Sequence, residues 1–223
     1  MSQGNSRSIT TNQQGPHEKI PELVNRHLSH SSLKPYSQHT LDAFDEVQSW
    51  LKQRQGPIIL DACCGVGEST ARIAAKHPDA LVVGVDKSAL RTGKHSHYQA
   101  ESDNYIIVRA DLNDFWRLAL DAKWVLAKQF LLYPNPYPKS AHVQRRWHAS
   151  AAFGDIVKLG GLLEVRSNWK IYIEEFAMAL NIAGFNVETE LYQAAEPDTP
   201  FERKYWASGQ QSWRVVCDLS TNK

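Results

Sequence analysis

The sequence predicts an α/β fold: a doubly wound, mostly parallel sheet with one antiparallel edge strand. From residue 56 onward, short apolar segments alternate with segments of helical periodicity. This alternation indicates parallel strands covered by helices on both faces. The last two predicted strands have no evident helix between them, and we therefore expect an antiparallel strand there. With 223 residues, of which 42% are hydrophobic, the chain can bury one core of this size.

The N-terminal part divides into a polar segment and a helical one. Residues 1–18 are predicted to be flexible because Ser, Thr, Asn, Gln and Gly are frequent up to about residue 16. Residues 19–223 are predicted to form a single domain. Between Lys19 and Leu51 the apolar residues recur at helical spacing, and Gly56-Pro57 ends this part.

Strands and helices are then predicted in alternation. Apolar runs predict strands at 58–60, 81–85, 105–108, within 124–132, and at 162–165, 185–191 and 213–219. Helical periodicity predicts helices near 69–76, 88–101, 112–121, 141–159 and 170–182. In open sheets of this class, ligands bind outside the carboxyl ends of the strands. The loops that follow the strands are therefore the first place to look for a site.

Composition excludes several classes of protein. The net charge of +1 gives no overall basic field, so any contact with nucleic acid would come from a local patch. Three cysteines, of which Cys63 and Cys64 are adjacent, argue against a disulfide framework and favour a reducing cytoplasm. No His/Cys cluster has metal-ligand spacing, and no apolar run reaches the roughly 18 residues of a membrane helix. We expect a cytoplasmic protein with no metal and no membrane contact.

Acidic residues follow three successive predicted strands. Asp61 comes just before Gly65 and Gly67, Asp86 ends the second strand, and Asp111 follows the third. The glycines let the backbone approach a ligand or adopt positive φ. A Gly-x-Gly turn alone is also compatible with an ordinary strand–helix connection, but packing does not explain three acids at successive strand ends. The set indicates a nucleotide-like cofactor.

A dinucleotide is the competing interpretation of these residues. Its fingerprint needs a third glycine where a helix N-terminus meets a pyrophosphate, and Thr70 stands at that position. An acid such as Asp61, ahead of the glycines, instead favours a cationic ligand group, for example the amino group of a methionine moiety. The pattern of acids and glycines resembles class I S-adenosylmethionine-dependent methyltransferases. That resemblance implies a Rossmann-like methyltransferase sheet with S-adenosylmethionine as cofactor.

A proline-rich loop follows the fourth predicted strand. We call residues 133–139, Tyr-Pro-Asn-Pro-Tyr-Pro-Lys, the Asn135 loop. Proline fixes its own φ and restricts the preceding residue, so the loop is predicted to be stiff and to present an amide and a ring to a planar group. Cations continue at helical spacing from its last residue: Lys139, His142, Arg145, Arg146 and His148. Such a run is usually a solvated face, but its position behind the loop favours phosphate contacts.

The ordered motifs resemble those of the tRNA (guanine-N7-)-methyltransferase family. Residues 133–146 resemble its Phe-Pro-Asp-Pro-Trp-x-Lys and the basic helix that follows. Residues 166–172, with Asn168 and Trp169, resemble its Thr-Asp-Trp-x-x-Tyr, and residues 199–203 resemble its Thr-x-Phe-Glu. Residues 7–10 echo its N-terminal Arg-Ser-Phe. The likeness therefore covers nearly the whole chain in order.

The resemblance implies methyl transfer from S-adenosylmethionine to guanine N7 in tRNA. It implies cofactor contacts by Asp61, Gly65, Gly67, Asp86, Asp111 and Asn135. It implies nucleoside contacts by Lys139, Asn168, Thr199 and Glu202. Asn135 would be the catalytic residue between cofactor and base, Trp169 would stack on the base, and Lys139, Arg145 and Arg146 would belong to a basic patch that binds tRNA.

Two amides stand where the family has aspartate, at Asn135 and Asn168. Guanine N7 carries a free lone pair, so its methylation depends on positioning and charge stabilisation rather than on removing a proton. An amide keeps one acceptor oxygen but loses the charge. Charge-assisted hydrogen bonds contribute about 1.5–3 kcal/mol and neutral ones about 0.5–1.5 kcal/mol, so the replacements would slow the reaction or alter the choice of base.

Three alternatives stay open at this point. The chain could be a weakened or inactive family member that binds cofactor or RNA, or a methyltransferase of another substrate such as a small molecule. Residues 135–138 also resemble the Asn-Pro-Pro-Tyr loop of amino-group methyltransferases, with Tyr and Pro exchanged. That last interpretation leaves the other motifs unexplained.

Overall fold

Seven strands form one sheet in the computed structural model, which describes residues 6–30 and 32–221. The strands are β1 (Ile58–Ala62), β2 (Leu81–Asp86), β3 (Tyr105–Arg109), β4 (Leu126–Leu132), β5 (Leu162–Ser167), β6 (Thr189–Tyr192) and β7 (Ser212–Asp218). Their order across the sheet is β3-β2-β1-β4-β5-β7-β6. Strands β1 to β5 pair in parallel, whereas β7 is antiparallel to both β5 and β6. The predicted mostly parallel sheet with an antiparallel strand at this side is confirmed.

The described residues contain eight α-helices. They are α1 (Ile20–Ser29), α2 (Gln38–Lys52), α3 (Glu68–Lys76), α4 (Ala89–Thr92), α5 (Leu112–Asp121), α6 (Ala152–Leu159), α7 (Lys170–Ile182) and α8 (Pro200–Ala207). Alternate residues of β1 enter opposite cores: Leu60 belongs to the core that contains residues of α1, α2 and α5–α7, and Ile59 belongs to the core that contains residues of α3. This alternation is the period-two consequence of strand geometry, and it gives the sheet two buried faces.

Two helical predictions need correction. The region 19–51 is helical as predicted, in α1 and α2, but residues 88–101 contain only α4 and a 3₁₀ turn at His95–His97. Neither of these two elements has a buried residue, so no apolar face holds a longer helix there. Residues 141–159 divide into 3₁₀ helices at Ser140–Arg145 and Trp147–Ala149, followed by α6.

The connection between the last two strands also differs from expectation. Helix α8 lies there, with Thr199 as its N-cap and Pro200 in its first turn. The eight-residue helix is too short to give a clear periodic signal. The strand predicted at 185–191 is shorter and lies later, as β6. Residues 6–17, part of the segment predicted to be flexible, contain no helix or strand, and residues 1–5 lie outside the described residues.

The strand order reverses between β1 and β4. In open α/β sheets, ligands bind beside the carboxyl ends of the strands at such a switch point. Cys63 lies in the loop after β1, the Asn135 loop follows β4, and Asp86 is the last residue of β2. The topology therefore brings both sequence-predicted regions, the acids and the proline-rich loop, to one edge of the sheet.

Candidate functional site

A cavity of about 520 Å³ opens at this edge of the sheet. Its volume suits a small-molecule ligand or cofactor. It is lined by Cys63, Asp86, Lys87, Arg91, Asp111, Leu112, Asn113, Tyr133, Pro134, Asn135, Pro136, Tyr137, Gln144, Arg145, Trp147, Ser150, Phe201 and Tyr205. Of the residues predicted from sequence, Asp86, Asp111, Asn135 and Arg145 are thus brought together, from the ends of β2 and β3 and from the connection that follows β4.

The turn after β1 has left-handed backbone at three positions. φ is 63° at Cys63, 61° at Gly65 and 80° at Gly67. A side chain at Gly67 would collide with Ile107 and His95, whereas one at Gly65 would meet open space. Gly67 is also the N-cap of α3. Gly67 is therefore required by packing as well as by φ, whereas at Gly65 only the positive φ favours glycine.

Asp61 is completely buried at the end of β1 and does not line the cavity. Its Oδ2 accepts hydrogen bonds from Ser69 Oγ at 2.6 Å and Thr70 Oγ1 at 2.7 Å. Its Oδ1 has no hydrogen-bond partner among the described residues. Burial raises the pKa of this carboxyl from 3.8 to about 6, and the two hydroxyl groups only partly oppose that rise. An unpartnered buried carboxylate oxygen is the kind of group that a cationic ligand could satisfy.

Asp86 and Asp111 both face the cavity but differ in their surroundings. Asp86 is buried and receives three donors: Gly65 N at 3.1 Å, Ser88 N at 2.8 Å and the Arg91 guanidinium at 2.9 Å. Asp111 is half-buried and caps α5 through a bond from Asn113 N to Oδ1 at 2.9 Å. Among the described residues, the side-chain hydrogen bonds of Asp111 all end on Oδ1, which leaves Oδ2 for a ligand.

The Asn135 loop is strained at both ends. Tyr133 has φ of 52° and Tyr137 has φ of 45°, a region that bulky residues rarely adopt. Between them the Asn135 side chain is exposed to the cavity, and its Oδ1 accepts from Tyr137 N at 3.3 Å. The amide nitrogen of Asn135 is thereby left to face a ligand.

The four residues assigned to the nucleoside do not line the cavity. Lys139 is exposed, and Asn168 donates to Gln210 Oε1 at 2.8 Å. Thr199 caps α8 by accepting from Glu202 N at 2.9 Å. Glu202 is completely buried, so its carboxylate does not reach a ligand in this conformation.

Glu202 instead belongs to a buried polar network beneath the cavity. Its Oε1 lies 2.9 Å from Tyr133 Oη and 3.2 Å from the Arg166 guanidinium, and its Oε2 accepts from Asp198 N at 2.6 Å. The Tyr133 hydroxyl also lies 2.6 Å from Ser212 Oγ. This network fixes one end of the Asn135 loop to β7 and α8.

Two aromatic residues that sequence reasoning missed do line the cavity. Phe201 is 43% exposed, and its ring is stacked with Tyr205 at 6.2 Å between centroids and 23° between planes. Both lie on α8, beside the buried Glu202. The signal available in the sequence was the Phe of the Thr-x-Phe-Glu motif. Consecutive residues of a helix point in different directions, so when Glu202 is buried, Phe201 cannot lie on the same face of α8.

Two of the cations predicted behind the Asn135 loop are buried rather than on the surface. Arg146 and His148 are completely buried around Glu175 of α7, with Arg146 Nη1 at 2.6 Å and His148 Nε2 at 2.9 Å from Glu175 Oε2. Burial opposes ionisation of Glu175, but these two partners outweigh it and lower its pKa to about 2. Arg146 therefore does not contact a phosphate here. Trp169 is not a base platform either, since it is buried with its ring 4.8 Å from the Arg146 guanidinium.

The cations that line the cavity are Lys87, Arg91 and Arg145, of which the sequence indicated only the last. Within the described residues, no group of three or more His, Cys, Asp or Glu side chains could hold a metal ion. No helix in the described ranges is long and apolar enough to cross a membrane.

Comparison with known proteins agrees with this architecture. A 16S rRNA methyltransferase, KamB, superposes with a TM-score of 0.57 at 15% identity over 83% of this chain and 94% of that chain. An antibiotic-related methyltransferase superposes with a TM-score of 0.56 at 15% identity over 78% of this chain and 94% of that chain. At these identities the likeness shows the fold alone, which is the class I methyltransferase sheet.

Sequence relatives are more informative. A tRNA (guanine-N(7)-)-methyltransferase of Nitrosospira multiformis is 28% identical over 192 residues, covering 82% of this chain and 81% of the relative. The protein of the same name from Nitrosomonas europaea is 28% identical over 178 residues, covering 74% and 76%. The family described as "Putative methyltransferase" matches residues 55–215, which include β1 to β6, the first part of β7 and every residue that lines the cavity. The chain belongs to this methyltransferase family.

Proposed function

We propose that this protein transfers a methyl group from S-adenosylmethionine to N7 of guanine in tRNA. The observation that carries the proposal is the shared cavity, in which Asp86 and Asp111 meet the Asn135 loop. The names of the sequence relatives support the same substrate. The free cysteines Cys63, Cys64 and Cys217 fit a cytoplasmic location, which is part of the proposal.

The acids at the strand ends fit the proposed cofactor. S-adenosylmethionine, when bound, supplies an electrophilic methyl group on a sulfonium. A carboxylate has about four acceptor positions, and three of those on Asp86 are used by protein donors. Arg91 is the donor that can leave, because its side chain is 42% exposed. Its displacement would free Asp86 for two ribose hydroxyls, and the second oxygen of Asp111 would accept from the adenine amino group.

The amide at Asn135 suits the edge of guanine that carries N7. That edge presents two adjacent acceptors, N7 and O6. The Oδ1 of Asn135 is engaged by Tyr137 N, so its amide nitrogen can donate to O6 and orient the ring. A carboxylate at this position could not donate. Asn135 would therefore position the base through O6 while N7 keeps its lone pair for the methyl group.

The cavity cations suit a polyanionic substrate. Lys87, Arg91 and Arg145 line the cavity, and Arg145 also lies with its guanidinium 5.8 Å from the Tyr137 ring centroid. Phosphate contacts release counterions, so the affinity for tRNA should fall as salt rises. A methyltransferase of a small molecule would lack that dependence.

A family member with weakened catalysis is the second candidate, and Asn135 and Asn168 favour it. The Asn168 amide nitrogen donates to Gln210, whose own Nε2 donates to Ser6 O at 3.0 Å. An aspartate at 168 would face the Gln210 oxygen unless Gln210 turned and released Ser6. Asn135→Asp is therefore the cleaner variant, and a gain of activity in it would favour this second candidate.

The deciding experiment measures methylated nucleosides. The purified protein is incubated with labelled S-adenosylmethionine and with tRNA from a strain that lacks other N7-guanine methyltransferases, and the digested tRNA is analysed by mass spectrometry. We expect N7-methylguanosine with the wild type and a loss of at least tenfold in Asn135→Ala. Asn25→Ala is the matched control, because Asn25 is exposed on α1, which contributes no residue to the cavity. Absence of N7-methylguanosine with the wild type would refute the proposal.

A further inference from the structure

The strained ends of the Asn135 loop are held by different parts of the protein. The Tyr133 end is held by the sheet, because Tyr133 N donates to Arg166 O of β5 at 2.9 Å. At Tyr137 the backbone carbonyl accepts two bonds from Arg146, from Nε at 3.3 Å and from Nη2 at 3.0 Å. Left-handed backbone at a bulky residue persists only where the surroundings over-determine it. Arg146 therefore holds the second end of the loop from the side of the core.

Arg146 is itself fixed from the core. Its Nη1 lies 2.7 Å and 2.6 Å from the two carboxylate oxygens of Glu175, and both side chains are completely buried. The planar guanidinium presents five donors in a rigid fork, so the bond to Glu175 determines where the remaining donors point. They point at the carbonyl of Tyr137 and, at 3.4 Å, at that of Lys139.

The N-terminal segment completes the arrangement. We call residues 11–13 the strap. Gln13 Oε1 accepts from Arg146 Nη2 at 2.5 Å, and Gln13 Nε2 donates to Glu175 Oε1 at 3.0 Å. The strap also contacts the loop itself, since Thr11 Oγ1 donates to Pro138 O at 2.6 Å. The loop is thus enclosed between the strap and the buried Arg146–Glu175 pair.

We infer that Arg146 and Gln13 are positioning residues that set the conformation of the Asn135 loop and so orient Asn135 in the cavity. Neither residue lines the cavity, so neither would contact the base or the cofactor. The inference rests on the proposed function for its catalytic consequence, but the conformational part stands by itself. A misplacement of about 1 Å in a reacting group can lower a rate on the order of 100-fold.

The test compares Gln13→Ala and Arg146→Lys with the wild type. Gln14→Ala is the matched control, because Gln14 is exposed next to Gln13 and belongs neither to the strap nor to the cavity. Hydrogen–deuterium exchange is followed over residues 133–146, and kcat and KM are measured separately for tRNA and for S-adenosylmethionine. Gln13→Ala removes no charge and opens no core position, so it tests the inference even where Arg146→Lys fails to fold.

We expect faster exchange over residues 133–146 in Gln13→Ala and Arg146→Lys, with kcat lowered about 10- to 100-fold and KM for S-adenosylmethionine within twofold of wild type. Gln14→Ala should match the wild type in every measurement. Unchanged exchange in Gln13→Ala would overturn the inference, and so would faster exchange with an unchanged kcat. An inactive wild type would refute the proposed function alone, and the exchange data would still decide whether Gln13 and Arg146 hold the loop.

Discussion

Replacing Asp61 by Asn should make the stability of this protein less sensitive to pH between pH 4 and pH 7. The Asp61 carboxyl is completely buried, and its Oδ1 has no partner among the described residues. Burial raises its pKa from 3.8 to about 6. Asparagine removes the charge and keeps an oxygen that can accept from Ser69 and Thr70 at the position of Oδ2.

The sign and size of the effect follow from the difference in proton binding. A carboxyl with a raised pKa in the folded state binds its proton more tightly when folded, so its contribution to stability falls as pH rises from about 4 to about 6. A shift of about two units corresponds to about 3 kcal/mol in the free energy of unfolding. Well below pH 4 the Asp61 carboxyl is protonated in the folded and the unfolded protein, so the wild type and the variant are both neutral at this position. Well above pH 6 the wild type is destabilised by the full cost of burying an ionised carboxylate, and the Asp61→Asn variant is not.

The assay is urea denaturation of both proteins at pH 4, 5, 6 and 7, followed by tryptophan fluorescence. The new amide donor at the Oδ1 position has a cost of about 1–3 kcal/mol if it finds no acceptor, but that cost does not vary with pH. The quantity to compare is therefore how the difference in unfolding free energy between the two proteins changes with pH, rather than the size of that difference at one pH. A difference between the two proteins that stays constant from pH 4 to pH 7 would refute the raised pKa of Asp61.

Three further predictions concern the cavity and the network beneath it. Asp86→Asn should weaken S-adenosylmethionine binding roughly tenfold, because an amide makes weaker hydrogen bonds to ribose than a carboxylate does; calorimetry that shows unchanged affinity would argue against a ribose contact. Asp111→Asn should keep the free energy of unfolding within about 0.5 kcal/mol, whereas Asp111→Ala should lower it by about 1 kcal/mol, because Asn caps a helix as well as Asp does and Ala does not; equal stabilities by urea denaturation would contradict the capping role seen at Asn113 N. Tyr133→Phe should lower the same free energy by about 1–3 kcal/mol, since it removes the hydroxyl partner of the buried Glu202 carboxylate, and an unchanged denaturation midpoint would show that the network contributes nothing.

The architecture could be predicted from sequence because its signals are local. Strand β2 contains the predicted apolar run 81–85 and is buried at all six of its positions, and α7 occupies the predicted range 170–182. Alternation of such segments determines a parallel sheet, and the topology then brings the ends of the strands to one edge. The sequence therefore also predicted which loops meet at the site, and Asp86, Asp111 and Asn135 do line one cavity.

The division of helices was decided by tertiary contacts. Residues 141–159 have helical spacing of apolar and basic residues, yet Arg146 adopts extended backbone with φ of −76° and ψ of 139°. This turns its side chain toward Glu175, which lies 29 residues later in the chain. The ion pair and its hydrogen bonds outweigh the continuation of a helix, and no local pattern carries that information.

The role of each charged residue was likewise a tertiary decision. Arg145 and Arg146 are adjacent and identical in type, but the first lines the cavity and the second is buried. Phe201 and Glu202 reverse the ordinary expectation, since the apolar ring faces the cavity and the acid is enclosed. By itself the sequence determined the fold, the family and the loops that form the site. Which charges face a ligand and which support the loop depended on the tertiary structure, because a charge can be buried only where distant parts of the chain supply its counter-charge and hydrogen bonds.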